Sequence, residues 1–397
     1  MSDQTNSGGL NRPTPRRLER CFNIDDLRSM ARQRLPSPIF HYLDGGADDE
    51  VSLRRNSAAF DDYEWLARNL VDISSIDLST TLLGKKIAVP FLLAPTGMSR
   101  LFHHAAEPAV ARAAAALGTF YSLSTMGTTA LEAIAAATSG PKIFQIYVLK
   151  DRELTREFVT RCRDARYDAL CLTIDTAVAG NRERDRVTGM TMPPRFTLGS
   201  LYGFMCRPRW AWNLLLHPGF ELANVAHRAA LGGSLVSVID FVNGQMDRTL
   251  TWKDVEWLRS QWSGPLIIKG IQSVGDAQRA VAAGATALML SNHGGRQLDG
   301  VIAPVDLLPM VRAAVDPSIE LIVDGGVRRG THIMKALALG ANACSIGRPY
   351  LYGLAAGGEA GVARALGILR SELERGLALL GCASARELGP PFLQRRG

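Results

Sequence analysis

The chain lacks the features that would place it in several broad classes. Nowhere in its 397 residues is there an apolar run of about 18, the minimum for a helix that crosses a bilayer. The first twenty residues are polar and contain no apolar segment, so they give no support for a secretory signal. Cysteine is scarce: Cys21, Cys162, Cys171, Cys206, Cys344 and Cys382 form no CxxC pair and show no metal-like pairing with histidine. No metal site is therefore expected, and the thiols read as reduced thiols of a cytoplasmic protein. Charge is not concentrated either. The 45 basic and 38 acidic residues are spread along the chain, with a small basic surplus from Arg12 to Arg20. The net charge of +7 suits an anionic small molecule or an anionic surface better than a nucleic-acid groove.

What is present is a regular alternation. Hydrophobic residues make up 47% of the chain, and 38 glycines fit an architecture with many strand-to-helix turns. Eight short apolar runs recur between residues 89 and 350: Val89 to Ala94, Phe120 to Ser124, Ile143 to Val148, Ala169 to Ile174, Leu266 to Ile268, Ala287 to Leu290, Leu321 to Val323 and Ala343 to Ile346. Helical patterns separate them, among them Glu107 to Leu117, Ala130 to Ala137, Glu153 to Ala165, Val274 to Ala283 and His332 to Leu339. Eight such pairs predict an α/β fold of the (β/α)8 TIM-barrel type. Every run ends in polar or ionisable residues, and barrels of this kind build their sites at the carboxyl ends of the strands. A doubly wound sheet, the alternative, would not need all eight ends to be polar.

Three segments fall outside the repeat. Residues 1–20 read as a flexible tail, leaving residues 21–397 as one domain. Ile24 to about Leu82 reads as an N-terminal helical extension that brings Tyr42 to the barrel mouth. A long insertion without a regular pattern runs from about Ala177 to Leu250, after strand four, as lids and partner contacts do. Within it, residues 205–220 mix Trp210, Trp212, a leucine run and arginines. Two readings stay open: peripheral contact with a membrane, or a lid helix packed on its own barrel or a neighbouring subunit.

The chemistry gathers around Ser291-Asn292-His293-Gly294-Gly295-Arg296, where a strand opens into a glycine-rich turn. His293 can move a proton near neutral pH, and Arg296 can grip a carboxylate in a fork. Asp175, closing strand four, could orient the imidazole, and Arg182 could share the carboxylate; its alternative is an ion pair with Glu183 or Asp185. Tyr42 and Tyr147 could donate to substrate oxygens. The turns Asp324-Gly325-Gly326-Val327-Arg328 and Gly347-Arg348, after strands seven and eight, suit a phosphate. Lys269, ending strand five, points to a partner that becomes anionic, such as the pyrimidine edge of a flavin, or pairs with a barrel carboxylate such as Asp324.

With these residues and with Leu35-Pro36, Tyr42, Gly45-Gly46-Ala47, Ala94-Pro95-Thr96-Gly97, Phe144-Gln145-Ile146-Tyr147, Leu172-Thr173-Ile174-Asp175 and Lys269-Gly270, the chain resembles the FMN-dependent L-2-hydroxy acid dehydrogenase and oxidase family from about Phe22 to Leu388. The resemblance implies that His293 is the catalytic base oriented by Asp175, and that Arg182, Arg296, Tyr42 and Tyr147 hold substrate. It implies that Pro95, Thr96, Gly97, Ser124, Gln145, Thr173, Lys269 and Ser291 meet the flavin and ribityl parts of FMN. Asp324, Gly325, Gly326, Val327, Arg328, Gly347 and Arg348 fall at its phosphate.

Gly97 stands where oxidases of the family usually carry alanine, and Met126 and Ala179 stand where plant glycolate oxidases have larger residues, which predicts a wider pocket. The resemblance implies oxidation of L-lactate, with electrons passed to quinone or another non-oxygen acceptor, in a homotetramer at the inner face of the cell membrane. Alternatives are an oxidase that makes hydrogen peroxide, a mandelate-type dehydrogenase and, remotely, a non-catalytic flavin-binding membrane scaffold.

Overall fold

A computed structural model describes residues 16–191, 197–217, 220–226 and 244–396. The eight apolar runs become strands β1 (Phe91–Thr96), β2 (Tyr121–Ser124), β3 (Lys142–Ile146), β4 (Ala169–Thr173), β5 (Leu266–Ile271), β6 (Ala287–Ser291), β7 (Glu320–Asp324) and β8 (Ala343–Ile346). Each strand pairs in parallel with the next, and β8 pairs with β1 to close the barrel. Side chains alternate across a strand, so each run feeds two cores. Leu92, Ile143, Cys171, Ile267, Met289 and Ile322 form a buried inner cluster, while their neighbours Leu93, Phe144, Leu170, Ile268, Leu288 and Val323 join the larger core shared with the helices.

A hairpin closes the amino end of the barrel. Thr80–Leu82 pairs with Lys85–Ile87 through Leu83 and Gly84, whose φ values of 51° and 72° give the mirror-image turn that two-residue hairpins favour. Leu82, Leu83 and Ile87 join the inner cluster, and the Leu83 N–H donates to Glu320, the first residue of β7, at 2.8 Å. With that end plugged by apolar side chains, the carboxyl ends form the open face.

Several sequence expectations need correction. The N-terminal extension is helical only through Ile24–Arg34, Ser37–Asp44 and Val51–Ala58. Beyond a short 3-10 turn no helix follows up to Leu82: Tyr63–Trp65 finds an antiparallel partner in Leu393–Arg395, Thr80–Leu82 finds one in the hairpin, and residues 66–79 between them are irregular. The expected tail does not extend to residue 20: Arg16–Glu19 is helical, anchored by the fully buried Leu18, and residues 1–15 lie outside the described residues. The insertion is not wholly irregular, since Glu183–Val187, Leu198–Met205 and Pro208–Leu216 are helices; 192–196, 218–219 and 227–243 lie outside the described residues. Two further helical segments complete the shell. Pro304–Ala314 starts with proline in its first turn and carries Pro309 inside, and Arg348–Leu380 comprises two helices joined across a kink at Gly357 and Gly358. All six cysteines are free.

The extension is seated on the barrel mouth by buried polar contacts. Asn56 and Asn292 exchange amide hydrogen bonds, both at 2.7 Å. The Asp299 carboxylate accepts from the N–H groups of Val51 and Ser52 at 3.0 and 2.7 Å, capping the Val51–Ala58 helix from the far side of the sequence. Asp44 accepts from Arg28 at 2.6 and 2.8 Å and from the Tyr352 hydroxyl at 2.7 Å. Burial alone would raise the Asp44 carboxyl, but the Arg28 and Tyr352 hydrogen bonds outweigh it and hold the group at about 2, below its ordinary 3.8. A carboxyl that is a stronger acid when folded contributes stability above its unfolded value, and that stability is lost as pH falls from about 4 through about 2, on the order of 1–2 kcal/mol. Urea unfolding at a series of acid pH values should therefore show a shallower loss of stability in Asp44→Asn than in the wild type across that window. Equal slopes in the two proteins would contradict this role for Asp44.

Candidate active site

The carboxyl ends of the strands, the Ser37–Asp44 helix and the insertion enclose a cavity of about 270 Å³. Every residue singled out from the sequence as a site residue lines it except Asp175 and Ser291, which stand behind the lining. Ala179, expected to widen the pocket, is exposed and is not among the lining residues, whereas Met126 is.

The floor is a buried charge network across three adjacent strands. Lys269 on β5 forms an ion pair with Asp324 on β7 at 3.1 Å. Between them Ser291 on β6 accepts from Lys269 Nζ at 2.9 Å and donates to Asp324 at 2.7 Å. Burial opposes charge on both partners, yet each overcomes it for the other: Lys269 is held above its ordinary value by Asp324 and Asp175, and Asp324 below its own by Lys269. The pairing that the sequence left as Lys269's alternative is thus present, and Lys269 still lines the cavity.

Ser291 also accepts from the backbone N–H of His293 at 3.0 Å, tying the network to the loop above it. His293 sits at φ 57°, a left-handed conformation that costs a non-glycine residue on the order of 1–3 kcal/mol and marks a position held by its surroundings. Its Nδ1 lies 3.1 Å from Asp175 Oδ1. Burial alone would raise the Asp175 carboxyl, but His293 and Lys269 reverse that and keep it ionised. Gly270, at φ +104°, is needed here twice over: its backbone is left-handed, and a Cβ would come within 2.8 Å of Asp175.

Gln297 is a residue whose role the sequence did not disclose. Its amide donates to the carbonyls of Asp175 and Val178 at 2.7 and 2.8 Å and accepts from the Gly180 N–H at 3.0 Å. It therefore fastens the loop after β4 to the loop after β6, keeping Asp175 beside His293. Its place four residues past His293 on the same turn was the only signal available.

On the other wall two guanidinium groups flank one ring: Arg182 lies 5.2 Å and Arg296 5.0 Å from the centroid of Tyr42. Arg182 also makes the ion pair with Asp185 that the sequence allowed, at 3.2 Å. Arg296 is held by the carbonyls of Tyr42 and Gly45 at 2.7 and 3.2 Å. Burial, followed by the like charge of Arg182, pushes Arg296 down to about 9, so the wall is short of an anion. Burial also pushes the Tyr147 hydroxyl up to about 12, which keeps it a neutral donor.

A flavin mononucleotide suits the remaining lining. Gln145 is buried with its carbonyl oxygen taken by Ser124 at 2.9 Å and its Nε2 without a partner, a donor waiting for an acceptor. Beyond it, the turns after β7 and β8 bring Gly325, Gly326 and Arg328 together with Arg348, which is anchored to the carbonyls of Leu43, Gly45 and Gly294. Glycine-rich backbone and guanidinium groups are what a phosphate requires.

Comparison with known proteins places this geometry among relatives. The sequence profile of the FMN-dependent dehydrogenases matches residues 31–395. A putative L-lactate dehydrogenase of Mycobacterium tuberculosis is 42% identical over 96% of this chain and 92% of its own length. An L-lactate oxidase of Nostoc sp. is 42% identical over 94% of this chain and 98% of its own. The crystal structure of the monotopic membrane protein (S)-mandelate dehydrogenase superposes with a TM-score of 0.91 at 37% identity, over 95% of this chain and 100% of that one.

The charge network makes a direct prediction about stability. Replacing Lys269 by Met leaves the Asp324 carboxylate buried without its cation, and losing one partner of a buried pair costs about 3–5 kcal/mol. Urea denaturation of Lys269→Met should show a loss of that size; a loss of about 1 kcal/mol or less, typical of an exposed pair, would contradict the network.

Proposed function

The chain belongs to the FMN-dependent dehydrogenase family and oxidises a 2-hydroxy acid with FMN, and we propose that its substrate is L-lactate, with His293 as the base and an electron acceptor other than oxygen. The observation that supports this reading is the pairing of His293 with Asp175 on one side of a cavity whose other side presents Arg182 and Arg296 around Tyr42. Bound FMN supplies the acceptor for the electron pair that leaves the substrate.

The protein's own residues carry the remaining roles. Arg182 and Arg296 take the substrate carboxylate and relieve the repulsion between their own charges. Tyr42 and Tyr147 direct hydroxyl donors at the substrate oxygens. The imidazole of His293 removes the proton of the C2 hydroxyl as the C2–H bond breaks, and Asp175, ionised beside Nδ1, stabilises the imidazolium that results. Lys269 places a fixed cation where Gln145, Thr173 and Ser124 also line the cavity, on the side assigned to the flavin ring. Arg328 and Arg348, with Gly325, Gly326 and Gly347, take the phosphate. Lactate is favoured by the two relatives at 42% identity, both of which carry lactate in their names. The likeness to (S)-mandelate dehydrogenase supports a second reading, a larger 2-hydroxy acid.

A non-oxygen acceptor such as quinone, and a place at a membrane surface, are part of the same proposal. No helix among the described residues is long and apolar enough to cross a membrane. The Pro208–Leu216 helix divides its two tryptophans: Trp210 packs on the core and donates to the Leu101 carbonyl at 2.8 Å, while Trp212 is exposed with Leu215 and Leu216. The preceding helix exposes Leu198, Tyr202 and Met205. Apolar and aromatic groups on short helices suit a lipid interface, and the structurally similar mandelate enzyme is a monotopic membrane protein.

Anaerobic L-lactate should bleach the bound flavin of the wild type, and His293→Ala should slow that bleaching by about 10²-fold or more while retaining FMN. Release of FMN from His293→Ala would make His293 structural, and bleaching by mandelate but not by lactate would establish the second reading. In air, turnover with a dye acceptor should far outpace hydrogen peroxide formation; equal rates would identify an oxidase.

A further inference from the structure

A second cavity, of about 740 Å³, is bounded by the Pro208–Leu216 helix, the Ile24–Arg34 helix and the loop after β1. Its walls carry Arg34, Arg100, Arg207, His103, His104 and His217, and no acid stands among its described lining residues. The three imidazoles stack in a column, His103 on His104 with centroids 4.3 Å apart and His104 on His217 at 4.1 Å. Burial, followed by the neighbouring His104 and Arg34, holds His103 down at about 4, and burial also holds His104 below its ordinary value. The Arg100 guanidinium is fixed by the His217 carbonyl at 2.7 Å, and Arg207 has a buried Nε without a hydrogen-bond partner. Phe102 is common to the walls of this cavity and of the candidate active site, but Arg328 and Arg348 are not part of it.

We propose that this cavity binds a phosphate ester, with the phosphate gripped by Arg34, Arg100 and Arg207 and the imidazole column beside it. Guanidinium forks match the oxygens of a phosphate, and the Arg207 Nε without a hydrogen-bond partner is a donor for one of them. At about 740 Å³, against about 270 Å³ for the candidate active site, the cavity leaves space for the organic part of an ester. Two sources share this chemistry: a phospholipid headgroup, reached from the exposed Trp212, Leu215 and Leu216 on the same helix, or a free phosphate ester. The site stands apart from the catalytic reading, and its test reads no turnover.

The test uses the FMN-loaded enzyme, in which the flavin phosphate site is already filled. Glycerol phosphate is titrated calorimetrically, and vesicles of phosphatidylcholine with or without phosphatidylglycerol are tested by flotation. The wild type should bind at least one of these anionic probes. Arg34→Gln combined with Arg207→Gln should weaken that binding by about tenfold or more with an unchanged flavin spectrum. His217→Asn, at an exposed position, makes the same comparison should the double variant fail to fold, with a smaller loss in the same direction. Saturable glycerol phosphate binding identifies a free ester; selective capture by phosphatidylglycerol vesicles, without glycerol phosphate binding, identifies a headgroup. Failure of both probes to bind, or equal binding by wild type and variants, would overturn the proposal.

Discussion

Among the described residues lining the cavity at the barrel mouth, Lys269, Arg182, Arg296, Arg328 and Arg348 carry fixed positive charge and Asp324 is the one carboxylate. Cations buried in such excess cannot be stable neighbours unless something anionic completes them. Asp324 is already committed to Lys269 and Asp185 to Arg182. The surplus falls at two ends of the cavity, around Arg328 and Arg348 and around Arg182 and Arg296. A ligand pair with a phosphate at one end and a carboxylate at the other matches that distribution, and FMN with a 2-hydroxy acid is such a pair.

Holding the charges apart from one another is the work of the loops. Arg348 and Arg296 both reach carbonyl oxygens of the segment Tyr42 to Gly45, so the N-terminal extension fixes two of the cations while it supplies Tyr42. The extension in turn rests on the loop that carries His293: Ala47 donates to the Gly295 carbonyl at 2.8 Å, Asn56 pairs with Asn292, and Asp299 caps the Val51–Ala58 helix. One ten-residue stretch, Ser291 to Gly300, thus carries the proposed proton acceptor, the proposed carboxylate fork and the seat for the extension. This explains why a histidine is tolerated there at positive φ: its neighbours on both sides are pinned.

Much of this was legible in the sequence because each signal was local. Buried parallel strands show as unbroken apolar runs, and the polar residue that ends each run marks the open face, so the barrel and most of the polar residues in the cavity lining could be read directly. The Val51–Ala58 cap, the Asn56–Asn292 pair and the Gln297 clamp could not. Their partners lie more than a hundred residues away, and an asparagine or glutamine on a turn looks the same whether it faces water or a distant backbone. The Pro304–Ala314 helix was hidden by its internal proline, and the Tyr63–Trp65 strand forms because the distant segment Leu393–Arg395 pairs with it. Lys269 and Arg182 show the limit from the other side: both their alternative ion pairs and their places in the cavity are present together.

The central claim is that substrate is recognised by its negative charge, and L-lactate and L-lactamide differ in little else. Anaerobic reduction of the bound flavin by each, followed over a range of concentrations, tests the claim most directly. Lactate should saturate the rate, whereas lactamide should require about 100-fold higher concentration or fail to reduce the flavin, since it leaves Arg182 and Arg296 without their anion. Lactamide that reduces the flavin with the same concentration dependence as lactate would contradict the account.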